Sequence, residues 1–213
     1  MKLYIFFSLL FLNSLEFDTS KMLIIYFSYS GNTESVVNYI KLFGDIPSFK
    51  IIPVNEYPPL QETLALAHVE LDNNTRPEIK EPLKSISEYD TILLGYPLWH
   101  KHLPCIVMNQ LEQLDFRGKT IYPFNTYGSS GIAESVNDIK KLCPGAKVKE
   151  GFSIQDSTSR IKEECVNRIK DWIYDIFRDS DNVNDRKDAQ DLYNNHSFFI
   201  KMNFLLILLV ILI

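Results

Sequence analysis

Tyr26-Phe27-Ser28-Tyr29-Ser30-Gly31-Asn32-Thr33-Glu34 is the stretch whose reading decides the fold. It continues the apolar run Met22-Leu23-Ile24-Ile25-Tyr26-Phe27 and leads into Val36, Val37, Ile40 and Phe43 at helical spacing, with Gly44 as a stop signal. An unbroken apolar run of this length reads as a strand buried on both faces, in the middle of a parallel sheet. The quoted stretch is then a strand-to-helix turn. Hydroxyls on Ser28, Ser30 and Thr33 surround Gly31, whose missing side chain lets backbone N–H groups approach an anion, and the helix points its positive end at the same place. Such a turn can hold a phosphate dianion with neutral donors and without the lysine of a GxxxxGK loop. A plainer reading also fits, in which Ser30 or Thr33 only caps the helix.

Outward from this turn, short apolar runs alternate with longer amphipathic ones, the pattern of a parallel sheet covered by helices. Phe49-Lys50-Ile51-Ile52 reads as a second strand, and Pro53, Pro58 and Pro59 break regular structure before a helix over Gln61 to Leu71. Thr91 to Gly95 is a third strand. Thr120 to Phe124 is a fourth, whose internal Pro123 predicts irregularity or a missing ladder partner. A helix over Ile132 to Leu142 ends at Cys143-Pro144-Gly145, and Lys147 to Phe152 supplies a fifth strand. Ile161 to Phe177 closes the domain as a helix with Ile161, Cys165, Ile169, Trp172, Ile173 and Ile176 on one face. The expected fold is α/β, a doubly wound five-stranded parallel sheet over residues 22–178.

The two ends differ from this middle. Lys2 and the apolar run Leu3 to Leu12 resemble a secretory signal or anchor, so residues 1–21 are read as a targeting segment, or as an extension that the domain does not need. A polar linker, 179–197, precedes an apolar tail, 198–213, which as a helix would reach about 24 Å and suits a membrane tether or a lipid-anchor signal. Membrane association follows as an expectation, with the side of the membrane open. Asn73-Asn74-Thr75 and Asn195-His196-Ser197 are glycosylation patterns compatible with it. A formal net charge of −5 argues against a nucleic-acid partner, which needs clustered Lys and Arg. Cys105, Cys143 and Cys165 lack metal-ligand spacing and read as buried thiols.

Two further loops join the first. The third strand runs into Gly95-Tyr96-Pro97-Leu98-Trp99-His100, and the fourth into Asn125-Thr126-Tyr127-Gly128-Ser129-Ser130-Gly131. In a doubly wound sheet ligands bind at the carboxyl edge, so Trp99, between Pro97 and Lys101, is expected on a surface loop facing a planar ligand. His100 and His102 form no more than a partial metal set, and no metal site is expected.

These segments resemble the short-chain flavodoxin-like family, whose first loop carries (Ser/Thr)-x-(Ser/Thr)-Gly-x-Thr, as Ser28 to Thr33 do. Tyr89-Asp90 through Trp99, Asp138 to Ala146 and Glu150-Gly151 are also similar to that family. The resemblance implies bound flavin mononucleotide (FMN), its phosphate held by Ser28, Tyr29, Ser30, Gly31, Asn32 and Thr33. Pro97, Leu98, Trp99 and His100 would line its ring, and Thr126, Tyr127, Gly128, Ser129 and Gly131 would hold the ring's polar edge. The family commonly has a second aromatic and a glycine after the tryptophan, where this chain has His100 and Lys101. The implied role is redox: electron transfer to a partner protein, or alternatively FMN-dependent oxidation of a nicotinamide, with no side chain required as acid or base. An interaction module of the same fold, membrane-tethered and without flavin, is the remaining alternative.

Overall fold

The computed structural model describes residues 19–128, 131, 134–156 and 163–180. The chain divides into two units, and the larger, Asp18–Lys170, holds the sheet. Its elements are β1 (Met22–Tyr26), α1 (Asn32–Ile40, prolonged by a 3-10 turn, Lys41–Phe43), β2 (Ser48–Lys50), α2 (Leu60–Asp72), β3 (Thr91–Pro97) and α3 (Cys105–Glu112). They continue with β4 (Thr120–Tyr127), α4 (Ser135–Leu142), β5 (Lys147–Val148), β6 (Phe152–Gln155) and α5 (Glu163–Ser180), the last of which runs from the larger unit into the smaller. All described strand pairings are parallel, in the order β2-β1-β3-β4-β5, with β6 also on β4.

Strand alternation divides the core in two. Leu23, Ile25 and Phe27, then Ile92, Leu94 and Tyr96, then Ile121, lie in one cluster with Ala67 of α2, Ile106, Val107 and Leu111 of α3, and Ile139 of α4. The opposite face carries Ile24, Leu93 and Phe124, and α1 turns buried Val36, Val37 and Ile40 inward. Each such aliphatic side chain, wholly buried, contributes about 1.5–3 kcal/mol. The five residues of β1 are buried throughout, as its unbroken apolar run requires of a strand covered on both faces.

Pro123 bears out the expectation of a missing partner, on one side. β4 is regular against β3, where Leu94 faces Pro123 in register. In a parallel ladder successive residues bond to opposite neighbours. Thr126 O accepts from Leu98 N on the β3 side, whereas Ile121 O and Tyr127 O accept from Lys149 N and Asp156 N on the other. The absent N–H of Pro123 therefore points away from β3, where the fifth strand breaks: β5 pairs with Thr120 and Ile121, β6 with Phe124 to Tyr127. The single strand expected over 147–152 is two short ones.

Helix α3 is missing from the sequence reading for a physical reason. Cys105, Ile106, Val107, Met108, Gln110 and Leu111 are all buried, so no polar face reveals a period. Gln110 is satisfied by the backbone of Leu83, accepting from its N–H at 2.9 Å and donating to its carbonyl at 3.0 Å. The second strand also ends earlier than expected. After Ile51, whose N–H still donates to Tyr26 O at 2.7 Å, the chain leaves β1, and Val54 N and Lys80 N bond Glu78 O and Ile52 O in a short antiparallel exchange with the segment around Ile79.

Candidate functional site

The carboxyl ends of β1, β3 and β4 bring the three loops to one edge of the sheet. Gly31 caps α1 at φ +86° and ψ −9°, a left-handed conformation that L side chains adopt only at a cost, and the space beside it is open: an added Cβ would meet no atom within 4 Å. No side chain makes the usual cap bond from that position. Instead Ser28 Oγ, three residues earlier, accepts the N–H of Glu34 at 3.1 Å. Helix geometry leaves the N–H groups of Asn32 and Thr33 without a carbonyl one turn back. Thr33 does not cap the helix either: it is 1% exposed, and its hydroxyl pairs with that of Thr126 at 3.0 Å, tying the first loop to the end of β4. Two backbone donors and the positive helix end thus converge beside an open, glycine-lined space, which fits a phosphate group.

The helix carrying these donors is braced from outside. Glu34 accepts from Tyr26 Oη at 3.1 Å and pairs with Lys50 Nζ at 2.9 Å, joining α1 to β1 and β2. Hydrogen bonding from Lys50 lowers the Glu34 carboxyl below its usual range. Burial, with the Glu34 carboxylate alongside, pushes the Tyr26 hydroxyl up to about 12.

The second loop departs from expectation. Trp99 is 4% exposed and belongs to the core, with its ring edge-on to Phe27, Tyr29 and Tyr57 at centroid distances of 5.6, 5.8 and 5.1 Å. The surface-loop reading of Trp99 is corrected accordingly. The cause is a two-residue turn: Trp99 and His102 exchange backbone hydrogen bonds of 3.3 and 2.9 Å, and His100 and Lys101 at the tip have φ of +48° and +71°. This reversal exposes the tip and folds Trp99 inward. His100 Nε2 lies 2.7 Å from the Leu64 carbonyl and must donate to it, so its ring is turned to α2, 5.2 Å from that of His68. His102 Nδ1 pairs with Asp138 of α4 at 2.9 Å, and the two histidines have separate partners. Pro97 and Leu98 remain half-buried at the edge.

In the third loop Thr126 is buried, Tyr127 half-buried and Gly128 exposed; Gly131 has φ +63°, and Ser129 lies outside the described residues. Gln155 Nε2 donates to Gly128 O at 3.1 Å, holding the loop to the end of β6.

Residues 21–176 match the family model for flavodoxin. The chain belongs to the flavodoxin family. Solved structures agree. One from Bacteroides uniformis, assigned as a flavoprotein, is 30% identical with a TM-score of 0.63, covering 72% of this chain and 97% of its own. Another so assigned, from Bacteroides eggerthii, is 30% identical at 0.60, covering 72% and 98%. A flavoprotein of Lactobacillus acidophilus in complex with FMN is 22% identical at 0.53, covering 65% and 95%, and shows likeness of fold. No curated protein matches the sequence.

This flavodoxin domain has one acidic residue at the same edge that the sequence reading passed over. Asp156 follows β6, its N–H bonded to Tyr127 O at 2.8 Å. Its carboxyl is raised above the usual range by burial, against the hydrogen-bonding influence of Asn32 and Thr126. The signal was available, since Asp156 stands at the carboxyl end of the last strand, where this fold places its ligand contacts. Elsewhere, the three cysteines are buried as expected, and burial pushes Cys143 to about 12 and Cys105 to about 11. Among the described residues no helix is long and apolar enough to cross a membrane. The apolar ends, on which the membrane expectation rests, lie outside those residues.

Proposed function

We propose that the chain binds FMN at this edge and serves in electron transfer to a partner protein. The observation that carries the reading is the opening of α1: left-handed Gly31, the two N–H groups of Asn32 and Thr33, and a hydroxyl frame with no cationic side chain in the loop. That donor set suits a phosphate ester. Pro97, Leu98 and Tyr127 stand where the ring would lie, and Tyr29, tied to the Pro58 carbonyl at 2.7 Å, walls the near side. When bound, the flavin supplies the redox chemistry; the protein anchors, orients and limits water.

Family membership and the flavoprotein relatives support this over a flavin-free module. The test is titration of the full chain with FMN and with riboflavin, followed by flavin fluorescence. FMN should bind at least tenfold tighter, and Ser30→Asp, at an exposed position, should erase that preference. Equal affinity for the two flavins would sink the phosphate assignment. Rapid reduction of the bound flavin by NADH or NADPH in a stopped-flow trace would replace electron transfer with nicotinamide oxidation.

A further inference from the structure

A cavity of about 230 Å³ opens between the end of α2, α3 and α4, and it includes none of the residues assigned to FMN. Sites for drug-sized ligands run to roughly 300–1,000 Å³, so this one suits a smaller molecule. Its apolar lining is Cys105 and Met108 of α3, both buried, with half-buried Leu142 of α4. Its polar lining comes from the turn after α2, from the second loop and from α4.

The fold fixes most of these polar groups in advance. Asn74, at φ +51°, turns the chain after α2, its N–H bonded to Leu71 O at 3.1 Å; its side-chain amide has no partner among the described residues. That turn delivers Arg76, whose Nε and Nη2 hold Glu112 of α3 at 2.9 and 2.7 Å while Nη1 donates to Thr75 O at 3.1 Å. Three of the five guanidinium N–H groups are then spent. His102 Nδ1 donates to Asp138 Oδ2 at 2.9 Å, and the N–H of Leu103 reaches the same oxygen at 3.3 Å. Arg76 and Asp138 are thus each held by a partner. Lys141 is not: it is exposed, and among the described residues it forms no ion pair or hydrogen bond.

We propose that this cavity binds a small organic monocarboxylate, with its charged end at Lys141 and Asn74 and its apolar body over Cys105, Met108 and Leu142. One unpaired cation favours a single negative charge over a dianion such as phosphate, which Asp138 would repel at close range. The apolar lining favours an organic body over a bare ion, because each methylene taken from water is worth roughly fourfold in affinity. The inference goes beyond the FMN reading and does not depend on it.

The experiment titrates the full chain at neutral pH and low salt with benzoate, with benzamide, its uncharged counterpart of the same shape, and with acetate, which lacks the apolar body, followed by ligand-observed NMR. Benzoate should bind at least tenfold tighter than either of the others, a comparison that needs no variant. Lys141→Glu should weaken benzoate at least tenfold, whereas Lys140→Glu, the same charge change at the neighbouring exposed lysine outside the lining, should move it less than twofold. Saturation with FMN should leave benzoate bound. Absent benzoate binding, equal binding of benzoate and benzamide, or equal effects of the two lysine substitutions overturns the site and leaves the FMN reading intact. Loss of benzoate on adding FMN would put it in the flavin site and overturn the proposal as well. Failure of FMN itself to bind would refute the FMN reading alone, with the two lysine variants still deciding this one.

Discussion

Gly95 is a position where one methyl group tests the packing directly. It lies in β3 directly opposite Phe124 of β4, and an added Cβ would fall 2.3 Å from Cζ, 2.6 Å from Cε2 and 3.0 Å from Cε1 of that ring. Carbon atoms prefer about 3.5–4.0 Å. The ring would have to withdraw by roughly 1 Å or more, yet Phe124 is fully buried. Overpacking of this kind costs about 1–3 kcal/mol. Replacing glycine by alanine in a strand gives back about 0.5–1 kcal/mol through reduced backbone freedom in the unfolded chain. An approach as close as 2.3 Å takes the upper half of that range, about 2–3 kcal/mol, so the net expectation for Gly95→Ala is a loss of about 1–2.5 kcal/mol, read as a lower urea midpoint at unchanged slope. Phe124→Leu removes the offending ring edge, so the double substitution should be less destabilised than the sum of the singles by about 1 kcal/mol. A neutral or stabilising Gly95→Ala, or strict additivity, would show that the ring does not occupy the space over Gly95.

Other consequences are checked as simply. Trp99→Ala should cost about 3–5 kcal/mol in urea unfolding, because the side chain is core; a loss below 1 kcal/mol would return Trp99 to the surface. Thr126→Val leaves the buried Thr33 hydroxyl without its partner and should cost about 1–3 kcal/mol, with Thr33→Val and Thr126→Val together less costly than their sum. The pH dependence of the flavin-free protein has two opposed parts. Asp156 is raised, so its contribution is full below its ordinary value near pH 4 and is lost as pH rises through the folded value. Glu34 is lowered, so its contribution is present above its ordinary value and is lost as pH falls through the folded one, weakly, since the Lys50 pair is 38% and 37% exposed. Asp156→Asn should raise stability at neutral pH, and Glu34→Gln should lower it slightly at neutral pH while matching the parent at the acid end; thermal melts from pH 3 to 8 that show the reverse would refute both assignments. We also propose that 198–213 tethers the protein to a membrane. Its deletion should move the protein from the pelleted to the soluble fraction, and an unchanged distribution would place the tether elsewhere.

What the residues revealed unaided follows the range of the forces involved. β1 and the turn into α1 were legible because strand, glycine and helix start are adjacent in sequence and each carries its own local signal. Pro123 was legible for the same reason, its missing donor being a property of one residue. Trp99 was not. Pro97 and Lys101 mark a surface loop, and the tip is exposed; but two consecutive left-handed residues that are neither glycine nor asparagine turn the chain back and drive the indole inward. That conformation costs about 1–2 kcal/mol per residue, offset by the aromatic cluster it completes, whose members Phe27, Tyr29 and Tyr57 are at least 42 positions away in sequence.

Asp156 carries this reasoning furthest. Nothing beside it in sequence distinguishes it from any aspartate that ends a strand. Burial raises its carboxyl, against the hydrogen-bonding influence of Asn32 and Thr126, which the winding of the sheet brings to it. The Ser28–Thr33 loop taken alone reads as a cradle for a dianion. The raised carboxyl of Asp156 at the end of β6 is a feature that the loop's own residues do not reveal. Local sequence therefore locates the anchor, whereas the surroundings of a single side chain such as Asp156 are decided across the sheet.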